Sequence, residues 1–148
     1  MNIVEEIVIH APAQRVFDAL ADADQRRQWW GGERFKLVSV SSDLRVGGRW
    51  SMRFEAYGRN SGMEGEYRVI EPPRVLEFTW HPDWYENASI SLVRFELEER
   101  EGATHVRLTH SDLVTEADRT NHRGWGDILA WLRGYVQGHI DRRGAPRG

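Results

Sequence analysis

Between residues 33 and 111 apolar side chains recur at every second position, through six segments joined by short polar connections. Period two is the signature of a strand with one buried face. In "GRWSMRFEAYG", Trp50, Met52, Phe54 and Ala56 share one parity and Arg49, Arg53 and Glu55 the other. "ERFKLVSVS" precedes it and "RNSG" reads as a hairpin turn after it. "MEGEYRVIE" then groups Met63, Gly65, Tyr67 and Val69, and "RVLEFTWHP" groups Leu76, Phe78 and Trp80. Val93, Phe95 and Leu97 align in "SISLVRFELEE", as do Val106, Leu108 and His110 in "THVRLTHSD". Consecutive strands with such short connections form an antiparallel meander, and its apolar face must be covered.

The end of the chain supplies the cover. Thr115 and Asp118 have the spacing of a capping box. Trp125, Ile128, Leu129, Leu132, Tyr135 and Val136 follow the i, i+3, i+4, i+7 pattern of an amphipathic helix over about 116–138. This stretch also holds Gly124, Gly126, Gly134 and Gly138. Each interior Gly costs roughly 1 kcal/mol relative to Ala. The expectation is that glycines here allow close backbone approach to a curved sheet at some points and thin the helix where it walls a cavity, Gly124 or Gly126 beside Trp125 bordering that space and Gly134 lying on the opposite face, with the tryptophans filling the remaining width. Upstream, residues 2–10 form a further strand with Ile3, Ile7 and Ile9 on one side. Two short helices follow. Val16, Phe17 and Leu20 stripe the first, which starts near Pro12; Asp22 or Asp24 caps the second, and Gly31-Gly32 stops it. The order strand, two short helices, six strands, long helix is that of an α+β fold: a curved antiparallel sheet of six to seven strands wrapped around a C-terminal helix.

The 148 residues suit one domain, over 1–140, followed by a polar tail at 141–148. A net charge of −3 offers no general attraction to nucleic acid or to an anionic membrane. No cysteine is present, which excludes disulfides, thiolate metal sites and a cysteine nucleophile. The N-terminus lacks a basic, apolar leader, and no uncharged apolar run approaches the roughly 18 residues of a membrane span, so a cytoplasmic protein is expected. The six histidines show neither HxH nor HxxxH spacing, so no metal is expected. Motifs for phosphate or dinucleotide binding and the nucleophile elbow are missing, so no cofactor is implied. His110, Ser111 and Asp112 alternate in direction and cannot make a triad.

Five blocks taken together resemble one known family: "HAPAQRVFDALADADQRRQWWG", "DLRVGGRW", "YRVIEPPRVLEFTW", "ATHVRLTHSDL" and "HRGWGDILAWLRGYV". They are similar, in order and over about residues 3–138, to the Hsp90 ATPase activator homologue-like group of the START-like, Bet v 1-like superfamily. The resemblance implies a helix-grip fold with an internal cavity between sheet and helix. In that superfamily the cavity holds small hydrophobic molecules such as lipids, sterols or polyketides, and some members are cyclases or dehydratases. The co-chaperone that names the group has a separate N-terminal domain contributing to Hsp90 binding, which these 148 residues do not include. ATPase activation is therefore not carried over to this chain.

Against that background the inward parities select the candidate ligand-binding residues Trp50, Phe54, Tyr67, Trp80, Phe95, His110 and Trp125. The aromatic rings would line the cavity, with the Tyr67 hydroxyl and the indole N–H groups as polar handles. His110 would serve as an anchor or proton-transfer group, or as a hydrogen-bonded core histidine. Trp84 and Tyr85, on the loop "HPDWYENA", would gate the mouth or cover an edge; Arg53, Glu55, Glu66 and Arg68 would form a solvent face. Few ionisable residues share the inner parities. That favours a carrier or sensor of a small hydrophobic molecule over a cyclase- or dehydratase-like enzyme, and a chaperone-interacting module ranks third.

Overall fold

The computed structural model describes residues 2–32 and 36–144. Seven antiparallel strands make one sheet in the order β1-β7-β6-β5-β4-β3-β2. They are β1 (Ile3–Ile9), β2 (Lys36–Ser42), β3 (Arg49–Ala56), β4 (Arg59–Glu71), β5 (Val75–Pro82), β6 (Ser91–Arg100) and β7 (Ala103–Ser111). From β2 to β7 each strand pairs with the next in sequence, and β1 closes the row against β7. The start of the expected second strand, residues 33–35, lies outside the described residues.

The inner parities fall as the alternation requires in β5, β6 and β7, where Leu76, Phe78, Trp80, Val93, Phe95, Leu97, Val106, Leu108 and His110 are all buried. Two local departures occur in β4. The β3–β4 turn is Tyr57-Gly58, both at positive φ, so "RNSG" belongs to the strand and Arg59 already pairs with Ala56. A two-residue turn of this kind needs positive φ at both positions, which Gly58 adopts without strain. Farther along, the β4–β5 register shifts between Tyr67 and Val69. The irregularity reverses the parity beyond it, so Ile70 packs on the core where Val69 was expected to.

Helices α1 (Ala13–Ala21) and α2 (Ala23–Trp29) follow β1, as expected. Asp22 caps α2, its carboxylate accepting from Asp24 N. The C-terminal cover is two helices rather than one: α3 (Glu116–Thr120) and α4 (Trp125–Gly144). The capping box of Thr115 and Asp118 starts α3, but a turn over 121–124 separates it from α4. Asn121 and Gly124 sit in that interruption, where helix propensity is weak. The expected tail splits likewise: residues 141–144 continue α4, and 145–148 lie outside the described residues.

Trp125, Leu129, Leu132 and Val136 form the buried stripe of α4. Its later turns are tied to the first elements of the chain, with His10 N donating to Gln137 Oε1 (2.8 Å) and Tyr135 Oη to Gln25 Oε1 (3.1 Å). The expectation about its glycines holds only in part: Gly124 borders the space beside Trp125 and Gly134 does not, but Gly124, Gly126 and Gly134 make no close approach to the sheet. A Cβ at Gly124 or Gly134 would meet nothing within 4 Å, and one at Gly126 only Glu5 Oε1 at 3.9 Å. The close approach is made from the other side, at Gly32. A Cβ there would lie 2.6 Å from Trp131 Nε1, and its φ of +58° also favours glycine. The helix thus needs the glycine of its neighbour, not its own. Among the described residues no helix is long and apolar enough to cross a membrane.

Candidate ligand cavity

The first turns of α4 stand off the sheet, and the space between them is a cavity of about 480 Å³. That is within the range of small-molecule sites. Phe54, Met63 and Trp80 supply the sheet wall; Trp125, Ile128 and Trp131 supply the helix wall. Trp30, just after α2, closes one end, and Trp84 from the β5–β6 loop closes another. Tyr57, 86% exposed, and the exposed Arg59 stand where the cavity meets solvent. A second hollow of about 490 Å³ lies between α1, α2 and Pro72, but Asp18, Asp22 and Gln25 line it and Phe17 is the one aromatic ring among its described lining residues.

Behind the indole walls runs a closed hydrogen-bond network. Trp80 Nε1–H donates to His122 Nε2 at 3.0 Å, and Trp125 Nε1–H donates to His110 Nδ1 at 2.9 Å. An indole nitrogen can only donate, so both imidazole nitrogens must carry free lone pairs. His122 is therefore protonated on Nδ1, which donates to the Asp118 carbonyl oxygen at 2.7 Å. His110 is protonated on Nε2, which donates to Ser91 Oγ at 2.7 Å, and the Ser91 hydroxyl donates to the Trp80 carbonyl oxygen at 3.3 Å. Both rings are neutral by this logic, because a second proton on either would face an N–H. Burial acts in the same direction and pushes the His110 conjugate acid down to about 3, with repulsion from His122 adding to it. Burial also lowers His122. The two rings meet edge to face, with centroids 4.6 Å apart.

Asp118 fastens the cavity rim. Its Oδ1 accepts from Tyr85 Oη (2.6 Å) and Ser89 N (3.2 Å), and its Oδ2 from Val114 N and Thr115 N (3.1 Å each). Burial alone would raise this carboxyl, but hydrogen bonds led by Tyr85 and Ser89 hold it well below the usual carboxylate range. Burial and the adjoining carboxylate push the Tyr85 phenol up in turn. At the other end of the loop Asp83 accepts from Arg53 Nη1 (2.6 Å) and Gly62 N (2.8 Å). The loop expected to gate the mouth is thus tied at both ends, and Trp84 packs on His122 with centroids 5.8 Å apart.

Of the seven residues selected from the sequence, Phe54, Trp80 and Trp125 line the cavity. Trp50, Tyr67, Phe95 and His110 do not: they form the packed layer behind it. Trp50 rests on Phe78 (5.2 Å) and Trp80 (5.7 Å), and Phe95 on Trp125 (6.3 Å). The Tyr67 hydroxyl is engaged by Arg26 Nη2 (3.0 Å) and Ser42 Oγ (2.7 Å), away from the cavity. His110 has both ring nitrogens engaged and no exposure, the arrangement expected of a hydrogen-bonded core histidine. Trp30, Trp131 and His122 line the cavity without having been selected. Trp30 and His122 sit at an element end and in an inter-helix turn, where no periodicity points inward; Trp131 lies off the α4 stripe and reaches the cavity over Gly32. Among the described residues two buried donors, Arg26 Nε and Trp50 Nε1, lack a hydrogen-bond partner. Among the described residues no group of three or more His, Cys, Asp or Glu could hold a metal ion.

The family model described as Activator of Hsp90 ATPase homolog 1-like protein matches residues 10–137. The chain belongs to this family. A search of curated proteins finds no match. Among solved structures, protein CV1439 from Chromobacterium violaceum superimposes with a TM-score of 0.81 at 23% identity, covering 91% of this chain and 96% of that one. The AHSA1-like protein from Aeromonas hydrophila gives 0.78 at 22%, covering 94% of each chain. CalU16 from Micromonospora echinospora gives 0.68 at 25%, over 95% of this chain and 79% of its own. These likenesses establish the helix-grip fold of this Activator of Hsp90 ATPase homolog 1-like chain, an architecture compatible with ligand binding.

Proposed function

We propose that this protein carries or senses a small hydrophobic molecule held between the sheet and the start of α4. The observation that supports this reading most directly is the cavity of about 480 Å³, walled by the indoles of Trp30, Trp80, Trp84, Trp125 and Trp131. Five indoles around one space leave a large apolar area partly wet, and a ligand of matching size would release that water. The lining argues against the alternative, a cyclase- or dehydratase-like enzyme. General acid–base catalysis needs a proton carrier within reach of the substrate. His122 has both nitrogens engaged, His110 lies behind the wall, and the Tyr67 hydroxyl is turned to Arg26 and Ser42.

Titration with the neutral apolar dye N-phenyl-1-naphthylamine, read by quenching of tryptophan fluorescence, tests the proposal. Saturable one-to-one binding is expected in the wild type. Ile128→Trp, which fills the cavity from the helix wall, should weaken it at least tenfold. No saturable binding by the wild type, or full binding by the filled variant, would overturn the carrier reading.

A further inference from the structure

Resting on that reading, we propose that the ligand of this cavity is a flat aromatic molecule carrying an anionic group, with the anion held at the mouth by Arg59. The lining is uneven in both shape and charge. Its largest lining side chains are aromatic, five of them indoles, which favours a planar body. Among the described lining residues Arg59 bears the one formal charge, and no carboxylate joins it there. His122 is neutral, since its two nitrogens accept from Trp80 and donate to the Asp118 carbonyl oxygen.

The other polar groups lean the same way. The indole N–H groups of Trp30 and Trp84 have no hydrogen-bond partner among the described residues, although both residues line the cavity. Asn121 commits one of its two side-chain N–H donors to the Ala117 carbonyl oxygen at 2.8 Å, leaving the other, and Ser61 can either donate or accept. Arg59 itself makes no ion pair among the described residues, unlike the neighbouring Arg53, which is held by Asp83 at 2.6 Å. A guanidinium with no ion pair, beside an apolar cavity with no carboxylate among its described lining residues, recognises an oxyanion, which it can meet through two parallel N–H donors. A cationic ligand would meet the same aromatic walls but face this guanidinium without a counter-charge.

Two dyes of one skeleton provide the test: N-phenyl-1-naphthylamine, which is neutral, and 8-anilinonaphthalene-1-sulfonate, which adds an anion to it. A purely apolar cavity prefers the neutral dye. The expectation is that the wild type binds the sulfonate about tenfold more tightly, the size of one hydrogen-bonded charge. Arg59→Gln should abolish that preference while leaving the affinity for the neutral dye unchanged. Arg107→Gln, which removes the same charge from an exposed position on β7 outside the cavity, should alter neither affinity. Equal or tighter binding of the neutral dye by the wild type would overturn the anion proposal and leave the carrier reading standing. So would parallel weakening of both dyes by Arg59→Gln, or loss of the preference in Arg107→Gln. Failure of both dyes to bind would overturn both.

Discussion

Asp118→Asn separates the role of the carboxylate from that of its shape. The native side chain is fully buried and accepts four hydrogen bonds, two on each oxygen. Asparagine keeps the volume and one acceptor oxygen. In its better orientation the oxygen still serves Val114 N and Thr115 N. The amide nitrogen then faces the Ser89 N–H, which it cannot accept from, and the Tyr85 hydroxyl, which must turn round. One hydrogen bond to a charged group is lost, one is reversed, and two are weakened by removal of the charge. At about 1.5–3 kcal/mol for each bond to a charged group, the expected loss at pH 7 is roughly 2–4 kcal/mol. Urea denaturation followed by tryptophan fluorescence measures it. The loss should also depend on pH. The native carboxylate holds its proton more weakly than the unfolded one, whose pKa is about 3.9. Its stabilising contribution is complete above that value and declines as the unfolded chain takes up protons below it. The wild-type advantage should therefore be smaller by about 0.7 kcal/mol at pH 3.5 than at pH 7. A variant as stable as the wild type at pH 7, or a deficit that grows on acidification, would refute the placement of Asp118 as the charged acceptor at the rim.

The glycines give opposite expectations on the two sides of one interface. Gly134→Ala should stabilise the protein by up to about 1 kcal/mol in the same denaturation assay, because the added methyl meets open space on a helix. Gly32→Ala should destabilise it by about 2–4 kcal/mol, since positive φ and contact with Trp131 both oppose a Cβ. The two buried neutral histidines predict acid sensitivity. Because their folded pKa values lie below the unfolded value of about 6.5, stability should be level above that pH and fall beneath it, by up to about 1.4 kcal/mol per pH unit for each ring. His110→Gln should remove about one proton from the slope measured between pH 6 and 5; an unchanged slope would show that His110 is not held neutral.

Alternation and helical spacing carried the architecture, because each is a local property that burial on one side imposes directly on the sequence. Trp80, Phe95 and His110 follow from parity in their strands, and the buried stripe of α4 follows from Trp125, Leu129, Leu132 and Val136. The capping box at Thr115 and Asp118 was legible for the same reason, its partners being three residues apart. Parity marks which side of a strand faces inward, but not how far the opposite element stands from it. Trp50 and Phe54 share one face of β3, yet Trp50 meets packed rings and Phe54 meets the cavity. That difference is set by where α4 leaves the sheet, which depends on α2, Trp30 and Gly32 more than a hundred positions earlier in some pairings, as in the contact between Tyr135 and Gln25 (|i−j| = 110). The tautomers of His110 and His122 are settled in the same way. His122 has one local partner, the Asp118 carbonyl oxygen four residues earlier, whereas His110 meets Ser91 only across the sheet; the two indoles that claim the acceptor nitrogens arrive only when β5, β7, the turn before α4 and α4 itself are brought together.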